Sequence, residues 1–159
     1  MTSTRLRQHV DAPRAAVYRV LLDPAAIPRW RVPEGMRCVV HEWNAREGGT
    51  LRVSLTYDAP TGSGKSSAHT DTYRGRFAEL VPNERVVEVD EFESADPALQ
   101  GPMRSTITLT DAPGGGTDVE AVHEDLPPGL SPADNEIGWR MALEKLARLL
   151  EQDAGRPGS

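Results

Sequence analysis

Cysteine, basic charge and long apolar runs are all scarce in this sequence of 159 residues. Its single cysteine, Cys38, excludes an internal disulfide and suits a reducing compartment, so we expect a cytoplasmic protein. No apolar run approaches the roughly 20 residues of a membrane span. Residues 1–10 lack the apolar core of a secretory signal. Neither membrane insertion nor secretion is expected.

Basic residues are outnumbered by acidic ones, with 18 Lys and Arg against 24 Asp and Glu, and the formal net charge is -6. Nucleic-acid backbones and anionic membranes both attract basic surfaces. We therefore expect no nucleic-acid partner and no general membrane binding.

The composition is that of a globular chain, with 38% hydrophobic and 26% charged residues. A chain of this length buries roughly two-thirds of its unfolded surface and needs no metal or disulfide to fold. We predict a single domain over residues 1–152. The polar, Gly- and Pro-containing segment 153–159 is expected to be a flexible C-terminal tail.

Alternation of apolar and polar residues predicts strands through the middle of the chain. The clearest case is 50–58, where Leu51, Val53, Leu55 and Tyr57 share one face. Gly48-Gly49 before it is typical of a hairpin turn. Further strands are predicted at 4–10, 69–81, 85–93, 103–109 and 119–123.

Helical spacing appears at both ends of this strand-rich region. Short helices are predicted at 14–22, with Asp11 as a cap ahead of Pro13, and at 24–30. A long C-terminal helix is predicted to begin after Ser131. Its apolar stripe consists of Ile137, Met141, Leu143, Leu146, Ala147 and Leu150.

This order of elements predicts an α+β helix-grip fold. A curved antiparallel sheet of about six or seven strands would wrap around the long C-terminal helix, with two short helices after the first strand. A curved sheet cannot lie flush along a straight helix. The space left between them predicts a pocket.

The chain resembles the activator-of-heat-shock-protein-ATPase homologue family, a branch of the START-like, or SRPBCC, superfamily. The resemblance covers about residues 4–151 and rests on the order and spacing of short motifs. These motifs are Asp11-Ala12-Pro13, Trp30, Arg46-Glu47-Gly48-Gly49, Tyr73-Arg74-Gly75, Val81-Pro82-Asn83-Glu84-Arg85-Val86-Val87 and Gly138-Trp139.

The resemblance implies binding of a small hydrophobic molecule of lipid, polyketide or aromatic type between the sheet and the C-terminal helix. One alternative is a cyclase- or aromatase-like enzyme that uses the same pocket. Another is a co-chaperone-like interaction module with a chaperone partner and a role in stress response. Whether a reaction is catalysed stays open, as does the choice between monomer and homodimer, and no cofactor is expected.

The predicted ligand-binding residues are those whose strand or helix phase faces the interior. No catalytic residue is assigned among them. They are Trp30, Leu55, Tyr57, Tyr73, Phe77, Val89, Ser105, Ile107, His123, Trp139 and Met141.

His123 is the most informative of these because imidazole titrates near neutral pH. It could hydrogen-bond a ligand or act as a general base. Alternatively, a backbone carbonyl or water satisfies it at the rim of the pocket. The two tryptophans, Trp30 and Trp139, either contact a ligand or pack in the core.

One carboxylate is also a candidate. Glu91 shares strand phase with Val87 and Val89 and could enter the pocket, where burial would raise its pKa. The alternative is that Glu91 lies at an exposed strand end.

Two further patterns are interpreted as structural. Residues 59–66 fit a relaxed P-loop, but no helical pattern follows Lys65-Ser66, so we interpret the segment as a hairpin loop. The four histidines are not paired at metal-ligand spacing, so no metal site is predicted.

Overall fold

The structure is a computed structural model that describes residues 3–33, 35–57 and 70–154. The segment that imitates a P-loop lies outside these residues. The elements are β1 Thr4–Val10, α1 Arg14–Leu21, α2 Ile27–Trp30, β2 Met36–Trp43, β3 Thr50–Tyr57, β4 Thr70–Val81, β5 Arg85–Phe92, a 3-10 turn Pro97–Leu99, β6 Met103–Asp111, β7 Thr117–Glu124 and α3 Pro132–Ala154.

All seven strands form one antiparallel sheet in the order β1-β7-β6-β5-β4-β3-β2. The sheet curls around α3, which confirms the predicted helix-grip architecture. Only β2 was not singled out by periodicity. It is an edge strand with a register shift between Val40 and Glu42, and half-buried and exposed residues alternate along much of it.

Helix α3 is capped as its sequence predicts. The Ser131 hydroxyl accepts the backbone N–H of Asp134 at 3.3 Å, which satisfies one of the free donors of the first turn. The helix runs to Ala154, and residues 155–159 lie outside the described part. None of the described helices combines the length and apolar content needed to cross a bilayer.

The predicted cap of α1 is wrong. Pro13 occupies the capping position, and no side chain caps the helix. Asp11 lies two residues upstream of that position, and its carboxylate contacts His9 Nε2 at 2.9 Å. A carboxylate placed so far from the first turn does not reach the N–H groups that a cap must satisfy.

The hairpin between β2 and β3 turns at the predicted glycines. Gly48 has φ +81, in the left-handed region that favours glycine. A Cβ on Gly49 would lie 2.0 Å from the carbonyl oxygen of Asn44. Both positions therefore need glycine, for conformation and for space respectively.

The apolar core lies beneath the C-terminal half of α3, against the inner face of the sheet and the two short helices. The largest fully buried side chains are Trp30, Phe77, Ile27, Leu51, Leu143 and Leu146. The N-terminal half of α3 covers a space instead of this core.

Candidate functional site

A cavity of about 510 Å³ lies between the inner face of the sheet and the N-terminal half of α3. Its apolar wall comes from strand ends, from the segment that leads into α3 and from α3 itself. The apolar residues on this wall include Met36, Leu55, Phe92, Met103, Leu126, Leu130, Ile137, Trp139, Met141 and Ala142.

Seven of the predicted ligand-binding residues lie on the cavity wall. They are Leu55, Tyr57, Tyr73, Ser105, His123, Trp139 and Met141. The other four do not line it. Trp30, Phe77 and Ile107 are packed in the apolar core, and Val89 lies on the outer face of the sheet.

The inward position predicted for Val89 in β5 is wrong, and of the two positions considered for Glu91 the structure shows the outer one. Asp90 and Phe92 reach the cavity and Glu88 is buried, whereas Val89 and Glu91 lie on the outer face. Glu91 accepts the backbone N–H of Gly101 there at 2.8 Å. The inner face of β5 therefore carries both apolar residues and two carboxyl groups, and a buried cation offsets the cost of burying the carboxyl groups.

Strand register brings polar side chains into a row across the inner face. Glu88 is paired with Ser105, Ser105 with His123, and His123 with Thr4. Residues directly opposite each other on antiparallel strands have neighbouring side chains on the same face. The row therefore builds a buried polar floor from residues that are far apart in sequence.

Arg31 is the buried cation of this floor. Its guanidinium donates two hydrogen bonds to Glu88, at 2.7 and 2.8 Å, in the two-pronged geometry that is strongest for this pair. Both side chains are nearly inaccessible, with 6% and 4% exposure. Three rings surround the guanidinium carbon, with centroids 6.0, 5.4 and 5.2 Å away in Trp43, Tyr73 and Trp139.

The charges of this cluster balance. Burial alone would lower the pKa of Arg31, but the charge and hydrogen bonds of Glu88, together with Tyr73 and Asp90, outweigh burial and raise that pKa well above its usual value. Burial would likewise raise the pKa of Glu88, but Arg31 holds it below its usual range. Burial and the adjacent Glu88 charge raise the pKa of Asp90 well above its ordinary value, so Asp90 favours its protonated form.

The histidine on the cavity wall is uncharged at neutral pH. Burial and the charge of Arg31 lower the pKa of His123 from 6.5 to about 4. Its Nδ1 lies 3.3 Å from the Thr4 hydroxyl, and its ring lies 4.6 Å from that of Trp139. Burial also raises the pKa of the Tyr73 phenol, so that group keeps its proton.

Sequence reasoning missed Arg31, because an arginine between two prolines is typical of a solvated loop. One signal for it was present in β5. Glu88 and Asp90 alternate in phase with Val86 and Phe92, so placing those apolar residues inside also buries two carboxylates. Buried carboxylates need a cation or a proton.

Metal and thiol chemistry find little support in the described part of the chain. No group of three His, Cys, Asp or Glu side chains there could hold a metal ion. Burial raises the pKa of the Cys38 thiol to about 11, so its reactive thiolate is scarce at neutral pH.

Comparison with known proteins identifies the family. The family described as "Activator of Hsp90 ATPase homolog 1-like protein" matches residues 11–151. A crystal structure of a Chromobacterium violaceum protein is 36% identical with a TM-score of 0.82, over 94% of this chain and 96% of that one.

Two more distant structures share the fold. An AHSA1 protein from Silicibacter pomeroyi is 17% identical with a TM-score of 0.77, over 96% of this chain and 99% of that one. An AHSA1-like protein from Aeromonas hydrophila is 17% identical with a TM-score of 0.71, over 99% and 98%. No curated protein matches the sequence. On the extent of the family match, this chain belongs to the Activator of Hsp90 ATPase homolog 1-like family.

Proposed function

We propose that this protein binds a small, uncharged hydrophobic molecule of lipid, polyketide or aromatic type in the cavity under α3. The observation that carries the proposal is a largely apolar cavity whose polar floor is already charge-balanced. Its volume of about 510 Å³ falls within the roughly 300–1,000 Å³ of small-molecule sites.

The charge balance supports an uncharged ligand. The charge of Arg31 is matched by that of Glu88. The raised pKa of Asp90, whose carboxyl group lies 3.7 Å from Arg31, favours its uncharged form, and His123 is neutral. A charged ligand would lose its hydration here without gaining an unpaired counter-charge. The cavity therefore favours a molecule that needs apolar contact and at most a few hydrogen bonds.

Native mass spectrometry of the purified protein, followed by denaturation and extraction, tests the proposal. We expect a co-purifying apolar molecule, or a rise in melting temperature with members of a panel of uncharged apolar compounds. A ligand at 100 times its Kd adds about 2.7 kcal/mol of stability. An empty protein that no compound stabilises would contradict the proposal.

A matched pair of variants tests whether the ligand binds in this cavity. Leu55→Trp adds a large ring to the cavity wall, whereas Val39→Trp adds the same ring at a position that is 51% exposed on edge strand β2. We expect Leu55→Trp to weaken binding by about tenfold or more, since it fills the space, and Val39→Trp to leave binding unchanged. Equal effects of the two variants would move the ligand out of the cavity.

An enzyme of cyclase or aromatase type is the second candidate. It is favoured by the presence on one cavity wall of Asp90, a carboxyl group with a raised pKa, and of the neutral imidazole of His123. Loss of turnover in His123→Ala with binding retained would support the enzyme. Unchanged turnover would exclude His123 from the reaction.

A co-chaperone-like module needs an exposed apolar patch. Among the described residues, the exposed large hydrophobic side chains are Val39 and Ile137, on different elements.

We propose the cytoplasm as the location, on the support of the single cysteine alone.

A further inference from the structure

The hydrogen bonds around His123 indicate which ring nitrogen carries its proton. Thr4 Oγ1 accepts a hydrogen bond from Asn135 Nδ2 at 3.0 Å and lies 3.3 Å from His123 Nδ1. The threonine hydroxyl has one proton to donate. Among the described residues, Nδ1 is the acceptor in contact with it. If Nδ1 carried a proton instead, the Thr4 hydroxyl would be a buried donor without an acceptor.

A neutral imidazole carries a single N–H group, so the proton lies on Nε2. This nitrogen is buried and has no hydrogen-bond partner within the described part of the chain. Because Nδ1 contacts Thr4 on β1, Nε2 lies on the side of the ring away from Thr4. His123 itself is 5% exposed and lines the cavity.

The surroundings of this donor favour a planar, uncharged ligand. The Trp139 ring lies 4.6 Å from the His123 ring, at an interplanar angle of 39°, and both residues line the cavity, so a ligand at the donor also meets an aromatic side chain. The neighbouring cation, Arg31, is already paired with Glu88 and lies close to three aromatic rings.

We propose that His123 Nε2–H is a ligand-binding subsite, and that the ligand is a planar uncharged molecule with a carbonyl or hydroxyl oxygen that accepts this hydrogen bond. The inference rests on the proposed function and deepens it. A buried donor without a partner is costly, so a ligand that supplies an acceptor gains affinity over an analogue of the same shape that does not.

The tautomer is measured first, in the wild-type protein and without any variant. Nitrogen-15 NMR of the imidazole at pH 7 is expected to show a proton on Nε2 and none on Nδ1 of His123. Addition of 2-acetylnaphthalene is expected to shift the Nε2–H resonance. A proton on Nδ1, or a resonance that a bound probe leaves unmoved, would overturn the inference.

Affinity is then compared for two probes of nearly the same shape. 2-Acetylnaphthalene presents a carbonyl oxygen, whereas 2-isopropenylnaphthalene has a methylene group in its place. Calorimetry of the wild type should favour the ketone by about tenfold relative to the ratio measured in His123→Phe. His123→Gln, which offers an amide donor, should restore part of the preference, and His9→Phe at the surface should not alter it.

The outcomes separate the two proposals. If both probes bind and the ketone preference is the same in wild type and His123→Phe, the subsite is refuted while the apolar cavity stands. If neither probe binds and no apolar compound stabilises the protein, both proposals fail. Thermal unfolding of each variant checks that the comparison is made on folded protein.

Discussion

Arg31 shows how one residue can determine the polarity of a whole cavity wall. Its guanidinium lies between a carboxylate that neutralises it and three aromatic rings that exclude water from it. Taking two charges out of water costs several kcal/mol for each ion, and good pairing offsets that cost. Removing either partner would leave an uncompensated buried charge.

Arg31→Met and Glu88→Gln are each expected to lower the free energy of unfolding by about 3–5 kcal/mol, because each leaves the other partner buried and unpaired. The double variant Arg31→Met/Glu88→Leu should recover much of this loss, since apolar groups of similar volume need no partner. Urea denaturation of the four proteins provides the measurement. Single variants that cost under 1 kcal/mol would show that the pair is not a buried ion pair.

Two histidines are expected to change stability with pH in opposite directions. The unfolded chain protonates His123 near pH 6.5, but the folded protein does so only at about 4. Its neutral form therefore contributes about 3 kcal/mol of stability that is lost as pH falls from 6.5 to 4. His123→Gln should remove this loss from the urea-denaturation profile.

The stability contributed by His9 changes with pH in the opposite direction. Hydrogen bonds to Asp11 and Asp118 raise its pKa above 6.5. The stability that it contributes is present below pH 6.5 and is lost as pH rises through the raised value. His9→Gln should therefore reduce the change in unfolding free energy above pH 6.5 and leave its change at acid pH unaltered. Parallel changes in the two variants would contradict these assignments.

At the scale of elements, β4 and β5 fit together through a glycine. Gly75 is paired with Asp90, and a Cβ on Gly75 would lie 2.0 Å from Asp90 Oδ1 and 2.4 Å from the carbonyl oxygen of Val89. The carboxyl group occupies the space that any other residue at this position would fill. The inward phase of β5 therefore depends on a missing side chain in β4.

Gly75→Ala is expected to lower the free energy of unfolding by about 1–3 kcal/mol, since backbone atoms must move to admit the methyl group. Gly138→Ala is the matched control in α3. There a new Cβ meets only Pro33 Cγ at 3.6 Å. Alanine should stabilise that helix position by about 0.5–1 kcal/mol. Destabilisation by both variants, measured by urea denaturation, would refute the role of Gly75.

At the scale of the whole molecule, the two halves of α3 have different structural roles. Its C-terminal half completes the apolar core, and its N-terminal half covers the cavity. Contacts with the α2 region include the Trp30 and Trp139 rings at 6.2 Å and a 2.8 Å hydrogen bond from Lys145 Nζ to the Val32 carbonyl oxygen. These contacts keep the helix over the sheet without filling the space beneath its first turns.

Local pattern was sufficient for most elements of this fold. Period-two alternation predicted six of the seven strands, and period-3.6 spacing with the Ser131 cap predicted α3, because these signals depend on neighbours in the chain. Alternation along β7 also selected His123, since that residue continues the inward face of Val119 and Ala121.

The polar floor of the cavity was decided only by tertiary structure. Hydrophobicity alone assigned Val89 to the interior, whereas Glu88 and Asp90 face inward because Arg31, from a distant segment, supplies a charge and Gly75 leaves room. The proton on Nε2 of His123, which finds no acceptor among the described residues, likewise follows from Thr4 and Asn135, which lie at opposite ends of the chain. The sequence by itself determined which segments become strands and helices. Charge pairing and space, which depend on contacts between distant residues, decided which side chains face the cavity.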